Sequence, residues 1–157
     1  MKVRWKVESK VDAVKDIAEK LDGASSSAGI WGEDDQEQAK KANVHEYGAT
    51  IQGAFGNPDT TVVIPPRPFF KPGVENHIGF YRKIIAAGLE PVLMGNTSAD
   101  NLLEAVAEAM VSKIQGEVGE HGPPLADSTK RMRRHGGTKP LIDTGTMRRA
   151  IIPKVTN

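Results

Sequence analysis

The chain has no cysteine, no long apolar run and few aromatic residues, and each scarcity excludes a class of structure. Without cysteine, none of its 157 residues can form a disulfide or a thiolate metal site, which is typical of proteins made in a reducing compartment. No run of about 18 apolar residues occurs, so the sequence predicts no membrane-spanning helix. The first seven residues alternate charged and apolar side chains, so we expect no signal peptide and synthesis in the cytoplasm.

Charge is nearly balanced overall but unevenly distributed along the chain. The net charge is +1, yet residues 1–120 sum to −5 and residues 121–157 to +6. An acidic body with a basic tail is suited to contact with acidic surfaces, with nucleic acid, or with further copies of the same chain. The length is that of one domain, and we predict a single domain over residues 1–157.

Apolar spacing predicts an α+β fold, with a small, mostly antiparallel sheet packed on two longer helices. A period of two predicts a strand at 2–7, followed by a helix that a Ser9–Asp12 capping box begins and Gly23 ends. Further strands are predicted at 28–31, 61–64 and 150–155, with loops at 25–27 and 48–60. Pro153 would place the last strand at a sheet edge.

Three further helices are predicted. One begins at the acidic run 33–35, carries Ala39, Ala42 and Tyr47, and ends near Gly48. One begins near Pro72 and is interrupted at Gly88 and Pro91. The longest covers roughly 98–118, after a capping box of Thr97 and Asp100.

The composition of residues 119–140, which are rich in glycine, proline and basic side chains, predicts a long loop. Loops of this length are usually functional or disordered, so we expect it to be flexible in an isolated subunit and to order against a partner. Its basic run consists of Lys130, Arg131, Arg133, Arg134 and His135. A solvated loop, a protein interface and a nucleic-acid contact all fit such a run. The absence of aromatic residues after Tyr81 weighs against stacking on single-stranded bases.

No catalytic, metal or cofactor site is evident in the sequence, so we do not expect an enzyme. The four histidines are scattered and lack HExxH spacing, and no G-x-S-x-G elbow occurs. Gly136-Gly137-Thr138-Lys139 lacks the rest of a phosphate-binding loop, because Pro140 follows it. Pro65-Pro66-Arg67-Pro68 is best explained as a rigid connector, with Phe69 and Phe70 anchored in the core. A hydrolase with an unrecognised site is the least favoured alternative.

Three segments taken together resemble a known family. They are Ala42-Asn43-Val44-His45-Glu46-Tyr47-Gly48, Ile64-Pro65-Pro66-Arg67-Pro68-Phe69-Phe70, and Gly136-Gly137-Thr138-Lys139-Pro140-Leu141-Ile142-Asp143-Thr144-Gly145-Thr146-Met147-Arg148-Arg149. Their order and spacing resemble the virion morphogenesis and tail-completion (neck) proteins of tailed bacteriophages, including the Mu-like ones. The similarity extends over most of residues 28–152, and Met147 stands where leucine is usual.

The resemblance implies a structural virion protein without catalytic residues or cofactors. Such proteins form a ring, commonly of six copies, that caps the tail tube and joins it to the head connector. The expected partners are therefore other copies, the tail tube protein and the connector or stopper protein, with non-specific contact to packaged DNA and none to a membrane. The expected location is the virion neck, and the host cytoplasm during assembly.

The interface that we predict from the charge pattern is basic. Its residues are Lys130, Arg131, Arg133, Arg134, His135, Lys139, Arg148 and Arg149. Complementary acidic and basic faces on one chain suit the unlike surfaces that meet in a ring. The alternative function is a DNA-binding module that uses the basic arm 130–139.

Overall fold

A computed structural model describes residues 12, 14–133 and 137–156 of the chain. The predicted strand 2–7 and Ser9 of the capping box lie outside these residues. The helices are α1 (14–21), α2 (Gln36–Tyr47), α3 (Phe70–Glu75), α4 (Ile78–Leu93), α5 (Ala99–Glu117), α6 (Asp127–Met132) and α7 (Thr146–Arg149), with a 3₁₀ turn at Ala54–Gly56. The strands are β1 (Ser25–Gly29), β2 (Ala49–Gln52), β3 (Thr61–Ile64) and β4 (Ile152–Thr156).

The predicted fold class is confirmed, since small antiparallel sheets pack on longer helices. Among the described residues the strands form two separate pairs, β1 with β4 and β2 with β3, where we expected one small sheet. The chain divides into two compact units. One holds the described residues up to Ala28, Ile78–Met110 and Pro153 onwards, and the other holds Gly29–His77 and Val111–Ile152.

The first unit has an aliphatic core between α4 and the first turns of α5. Its buried residues are Val92, Ala99, Leu102 and Val106, with Ile17, Leu21, Ile84 and Met110 packed against them. Ser26 and Ser27, in β1, donate hydroxyl hydrogen bonds to the carbonyls of Leu103 (2.8 Å) and Lys154 (2.9 Å). We predicted a loop at 25–27. These bonds anchor the serine-rich segment, which is part of strand β1.

Two helix predictions in this unit need correction. α4 runs through Gly88 and Pro91, where we predicted an interruption. Gly88 faces Leu102 so closely that an added Cβ would lie 2.3 Å from Cδ1 of that leucine, and this packing outweighs the low helix propensity of glycine. The cap of α5 is Ser98, whose Oγ accepts from the N–H of Asn101 at 3.1 Å, rather than Thr97.

The second unit contains α2, the β2–β3 hairpin and the short helices α3, α6 and α7. α2 begins where the Asp35 side chain accepts from the N–H of Gln38 (3.0 Å), and it ends at Gly48, as predicted. Ala42 is buried as expected, but Tyr47 is 78% exposed. The unit's largest fully buried side chains are Phe69, Ile114, Val118 and Ile151, which confirms Phe69 as a core anchor.

The predicted loop 48–60 is in part a strand. β2 pairs antiparallel with β3, so that Ala49 lies opposite Ile64 and Gln52 opposite Thr61. Gly48 (φ +78°) and Gly53 (φ +68°) turn the chain into and out of β2, which explains why glycines flank a strand here. Residues 119–140 are likewise more than a loop, because α6 forms within them.

Candidate functional site

The segments that carry the resemblance meet within the second unit. Glu46 of α2 is buried, and its carboxylate accepts from three consecutive backbone N–H groups at the start of α3. The donors are Phe69 (2.8 Å), Phe70 (3.0 Å) and Lys71 (3.0 Å). These are amides at a helix N-terminus, which otherwise lack acceptors. Glu46 therefore joins the first segment to the second.

Arg67 extends the same scaffold to the basic segment. Its backbone N–H donates to the His45 carbonyl, and its guanidinium donates from Nε to the Pro123 carbonyl (3.0 Å) and from Nη2 to the Pro124 carbonyl (3.3 Å). The residue is only 6% exposed. The segment that we predicted to be a flexible loop thus has a fixed start in this structure, and its ordering by a partner stays a prediction.

Arg133 is turned to its own backbone and not to solvent. Its Nη1 lies within hydrogen-bond distance of three carbonyls, those of Gly137 (3.0 Å), Lys139 (2.6 Å) and Ile142 (2.8 Å). Nη1 carries two N–H groups, so the three carbonyls share two donors. This predicted interface cation therefore stabilises the bend that leads into the third segment.

The other predicted interface residues have different environments. Lys130 pairs with Asp127 (3.0 Å), Lys139 pairs with Glu120 (2.6 Å), and Arg149 donates to the Thr144 carbonyl (3.1 Å). Arg131 and Arg148 are exposed, and Arg134 and His135 lie outside the described residues. The basic interface stays a prediction, but several of the cations on which DNA binding would depend have partners within the chain.

Two of the histidines that we predicted to be scattered share one carboxylate. Glu117, at the end of α5, lies 3.1 Å from Nε2 of His77 and 2.5 Å from Nε2 of His121. The hydrogen bond with His121, and then that with His77, lowers the pKa of Glu117 below its ordinary value. Within the described ranges, no group of three His, Cys, Asp or Glu side chains is arranged to hold a metal.

A cavity of 380 Å³ opens beside this scaffold, and we name it the Arg67 cavity. Its polar lining consists of His45, Arg67, Thr129, Arg133 and Asp143. The Nδ1 of His45 is buried without a hydrogen-bond partner. Burial, together with the neighbouring Arg67 guanidinium, holds the pKa of His45 below 6.5. The imidazole is therefore neutral at pH 7.

Acidification is expected to destabilise the protein through His45. Because its pKa is lower in the folded state, the unfolded chain takes up this proton first as the pH falls through 6.5, and the free energy of unfolding then decreases. A His45→Gln variant lacks this proton and should lose less stability than the wild type between pH 7 and the folded-state pKa. Urea unfolding at a series of pH values measures the difference. An NMR titration that places the pKa of His45 at or above 6.5 would contradict the argument.

The β2–β3 hairpin exposes apolar side chains. Phe55, in the turn at its tip, is 92% exposed, and Val63 is 68% exposed. Phe55 also has a left-handed backbone (φ +58°), which is uncommon for a residue other than glycine. Among the described strands, β2 and β3 pair only with each other, so each presents an open edge.

A second cavity in the same unit is lined mainly by apolar groups. It measures 220 Å³ and lies beside α2, with Ile30, Ala39, Ala42, Tyr47 and Phe70 on its wall. The small side chains of Ala39 and Ala42 create the space, and Tyr47 and Phe70 supply aromatic walls. We name it the Ala39 cavity. Its lining suits an aromatic side chain.

Comparisons with descriptions of known protein families, with curated proteins and with solved structures give no match. In the described part of the chain, no helix has both the length and the apolar character needed to cross a membrane.

Proposed function

We propose that this protein is a structural subunit of a tailed-phage virion that completes the tail at the head–tail junction. Copies assemble into a ring, which joins the tail tube to the connector and contributes surfaces rather than reactive groups. The subunit is made in the host cytoplasm and ends in the virion neck. The resemblance of the three segments supports this proposal, as does the contact of the first segment with the second through Glu46 and the Arg67 N–H.

The observation that carries the assembly role is the exposed hairpin tip. Folding of the isolated chain gains nothing from a phenyl ring that is 92% exposed, and a left-handed Phe55 costs about 1 kcal/mol. Burial of that ring against a partner would contribute roughly 2 kcal/mol. A partner that buries Phe55 therefore contributes apolar burial that the isolated chain lacks.

We assign the Ala39 cavity of a second copy as the site that receives Phe55. The hairpin tip and the cavity are different surfaces of the same chain, so their contact is heterologous. Contacts of this kind close into rings when the rotation between copies allows it. The same two features therefore provide the head-to-tail geometry that a tail-completion ring requires.

Loss of the phenyl ring of Phe55 is expected to weaken self-association about 30-fold, because the burial of one phenylalanine side chain contributes about 2 kcal/mol. Sedimentation velocity over a concentration series measures this for wild type and Phe55→Ser. Met94→Ser is the matched control, because Met94 is an exposed apolar residue (63%) in the other unit. A wild-type chain that stays monomeric at every concentration would contradict the ring.

A mixing experiment tests the direction of the contact. Ala39→Trp fills the cavity but leaves the hairpin intact, whereas Phe55→Ser removes the phenyl ring but leaves the cavity intact. At a concentration at which the wild type associates but a contact about 30-fold weaker does not, each variant alone should be monomeric, and the two together should form a one-to-one dimer and nothing larger. Failure of the mixture to associate, while the wild type does, rules out this pairing of surfaces. The place in the virion is tested by electron cryo-microscopy of particles, in which absence of the chain would refute the neck assignment.

A further inference from the structure

The Arg67 cavity contains two cationic groups whose described hydrogen-bond acceptors are all neutral. Arg67 is 6% exposed, and Nε and Nη2 donate to the carbonyls of Pro123 and Pro124. Within the described residues, no carboxylate lies within ion-pair distance of it, and Nη1 has no acceptor. A buried charge without a counter-charge is costly, and the pairing of such a group with an anion recovers part of that cost.

A second guanidinium lines the same space. Among the described residues, Arg133 donates only to backbone carbonyls, which do not compensate its positive charge. His45 adds a buried Nδ1 without a partner, and Thr129 adds a hydroxyl. The only acidic side chain on the lining is Asp143, which is exposed and forms no ion pair with either arginine in the described structure. The cavity therefore carries a net positive charge.

The remaining wall is apolar and consists of Leu125, Met132 and Leu141. Apolar walls around a cationic interior suit a ligand with a hydrocarbon stem and one oxyanion at its end. A guanidinium binds a carboxylate through two parallel hydrogen bonds, which matches the free Nη1 edge of Arg67. Inorganic phosphate carries no such stem, so the apolar wall favours a carboxylate on a hydrocarbon chain over phosphate.

We infer that the Arg67 cavity is a binding site for a carboxylate on a short apolar stem, such as the side chain of a glutamate. A free organic acid and an acidic residue of another polypeptide present this same chemistry. The inference goes beyond the proposed ring, since it concerns a different surface from Phe55 and the Ala39 cavity. It is also measured on the isolated chain, so its outcome is independent of assembly.

NMR titration of the full chain with butyrate, a single carboxylate on a three-carbon apolar stem, tests the site. We expect shifts at the Arg67 Nε–H and at the amides of Thr129 and Arg133, with a dissociation constant of about 1 mM. Inorganic phosphate, at matched ionic strength, should bind at least about tenfold more weakly, because it has no apolar stem to bury against the wall. Equal or tighter binding of phosphate would overturn the assignment to a carboxylate, and shifts that sodium chloride reproduces would overturn the site altogether.

Two variants of α6 locate the binding without disturbing the buried arginine, and a third replaces that arginine. Thr129 lies on the exposed surface of α6 and lines the cavity, so Thr129→Phe should fill the space and abolish the butyrate shifts. Ser128→Phe is the matched control, because Ser128 is exposed on the same helix but is not on the lining; it should leave the affinity unchanged. Arg67→Gln should weaken binding about tenfold or more, in line with loss of a charge-assisted hydrogen bond. Butyrate binding that survives Thr129→Phe places the ligand elsewhere and refutes the inference.

A peptide distinguishes the two sources of the carboxylate. A short blocked peptide with one glutamate between apolar residues should bind at least about tenfold more tightly than butyrate if the natural ligand is a polypeptide. Equal affinity of the two probes assigns the cavity to a small organic acid. The same peptide with glutamine in place of glutamate should not bind, and its binding would show that the carboxylate is not what the cavity recognises.

Discussion

Replacement of Glu46 by alanine is expected to lower the free energy of unfolding by about 3 kcal/mol. Glu46 is only 8% exposed, and its carboxylate accepts hydrogen bonds from the backbone N–H groups of Phe69, Phe70 and Lys71. Truncation would leave these amides without their acceptor at a buried helix start. The expected loss is larger than that of an ordinary cap, which contributes about 1 kcal/mol, because three donors share one charged group.

Glu46→Gln removes the negative charge of the side chain but keeps nearly the same shape. Its amide keeps one oxygen but brings an NH₂ group towards backbone donors, so we expect a loss of about 2 kcal/mol. Glu37→Gln is the matched control on the same helix, since Glu37 is 74% exposed and pairs only with Lys41 at the surface. That change should cost less than about 0.5 kcal/mol. Urea unfolding measures all three variants, and a Glu46→Ala protein as stable as the control would refute this account of the scaffold.

Local signals in the sequence were sufficient for some elements. The acidic run before α2 and Gly48 after it mark both ends of that helix, because caps and stops act within one turn. The long α5 was predicted to within one residue at each end, since its apolar spacing is regular. Strand β3 was also predicted with its observed bounds, from four consecutive β-branched residues.

Other elements depend on partners that are far away in the sequence. β2 exists because β3 pairs with it, and the glycines on either side of β2 predicted only a loop. β1 is rich in serine, and its strand state depends on the pairing with β4, more than 100 residues later. Propensity reports a weak local preference, and tertiary packing overrides it at such positions.

The candidate site was harder still to predict. The sequence shows a basic segment, but not that Arg133 turns to its own backbone or that Arg67 contacts carbonyls 56 and 57 residues away. One signal was present and was missed: Glu117 and His121 are four residues apart, a spacing that often brings side chains together at the end of a helix. No spacing in the sequence indicates the contact of His77 with the same carboxylate, because the two residues are 40 positions apart.

The close approach of α3 and α5 leads to the second large effect. Gly73 of α3 is buried against Ile114, such that a Cβ added to Gly73 would lie 2.7 Å from both Cα and Cγ1 of Ile114. The contact with Cα involves backbone, so rotation of the isoleucine side chain cannot relieve it. Gly73→Ala must therefore separate the two helices or distort them, and overpacking of this kind costs typically 1–3 kcal/mol.

Helix propensity acts in the opposite direction at Gly73, because alanine favours a helix over glycine by up to about 1 kcal/mol. Since the clash involves backbone, we take the upper part of the overpacking range and expect Gly73→Ala to lower the free energy of unfolding by about 2 kcal/mol. Gly116→Ala is the control in α5, where an added Cβ meets nothing within 4 Å, and it should be neutral or stabilising. Urea unfolding of the two variants compares the effect of the steric contact with that of helix propensity. A Gly73→Ala protein as stable as Gly116→Ala would mean that α3 and α5 do not approach this closely.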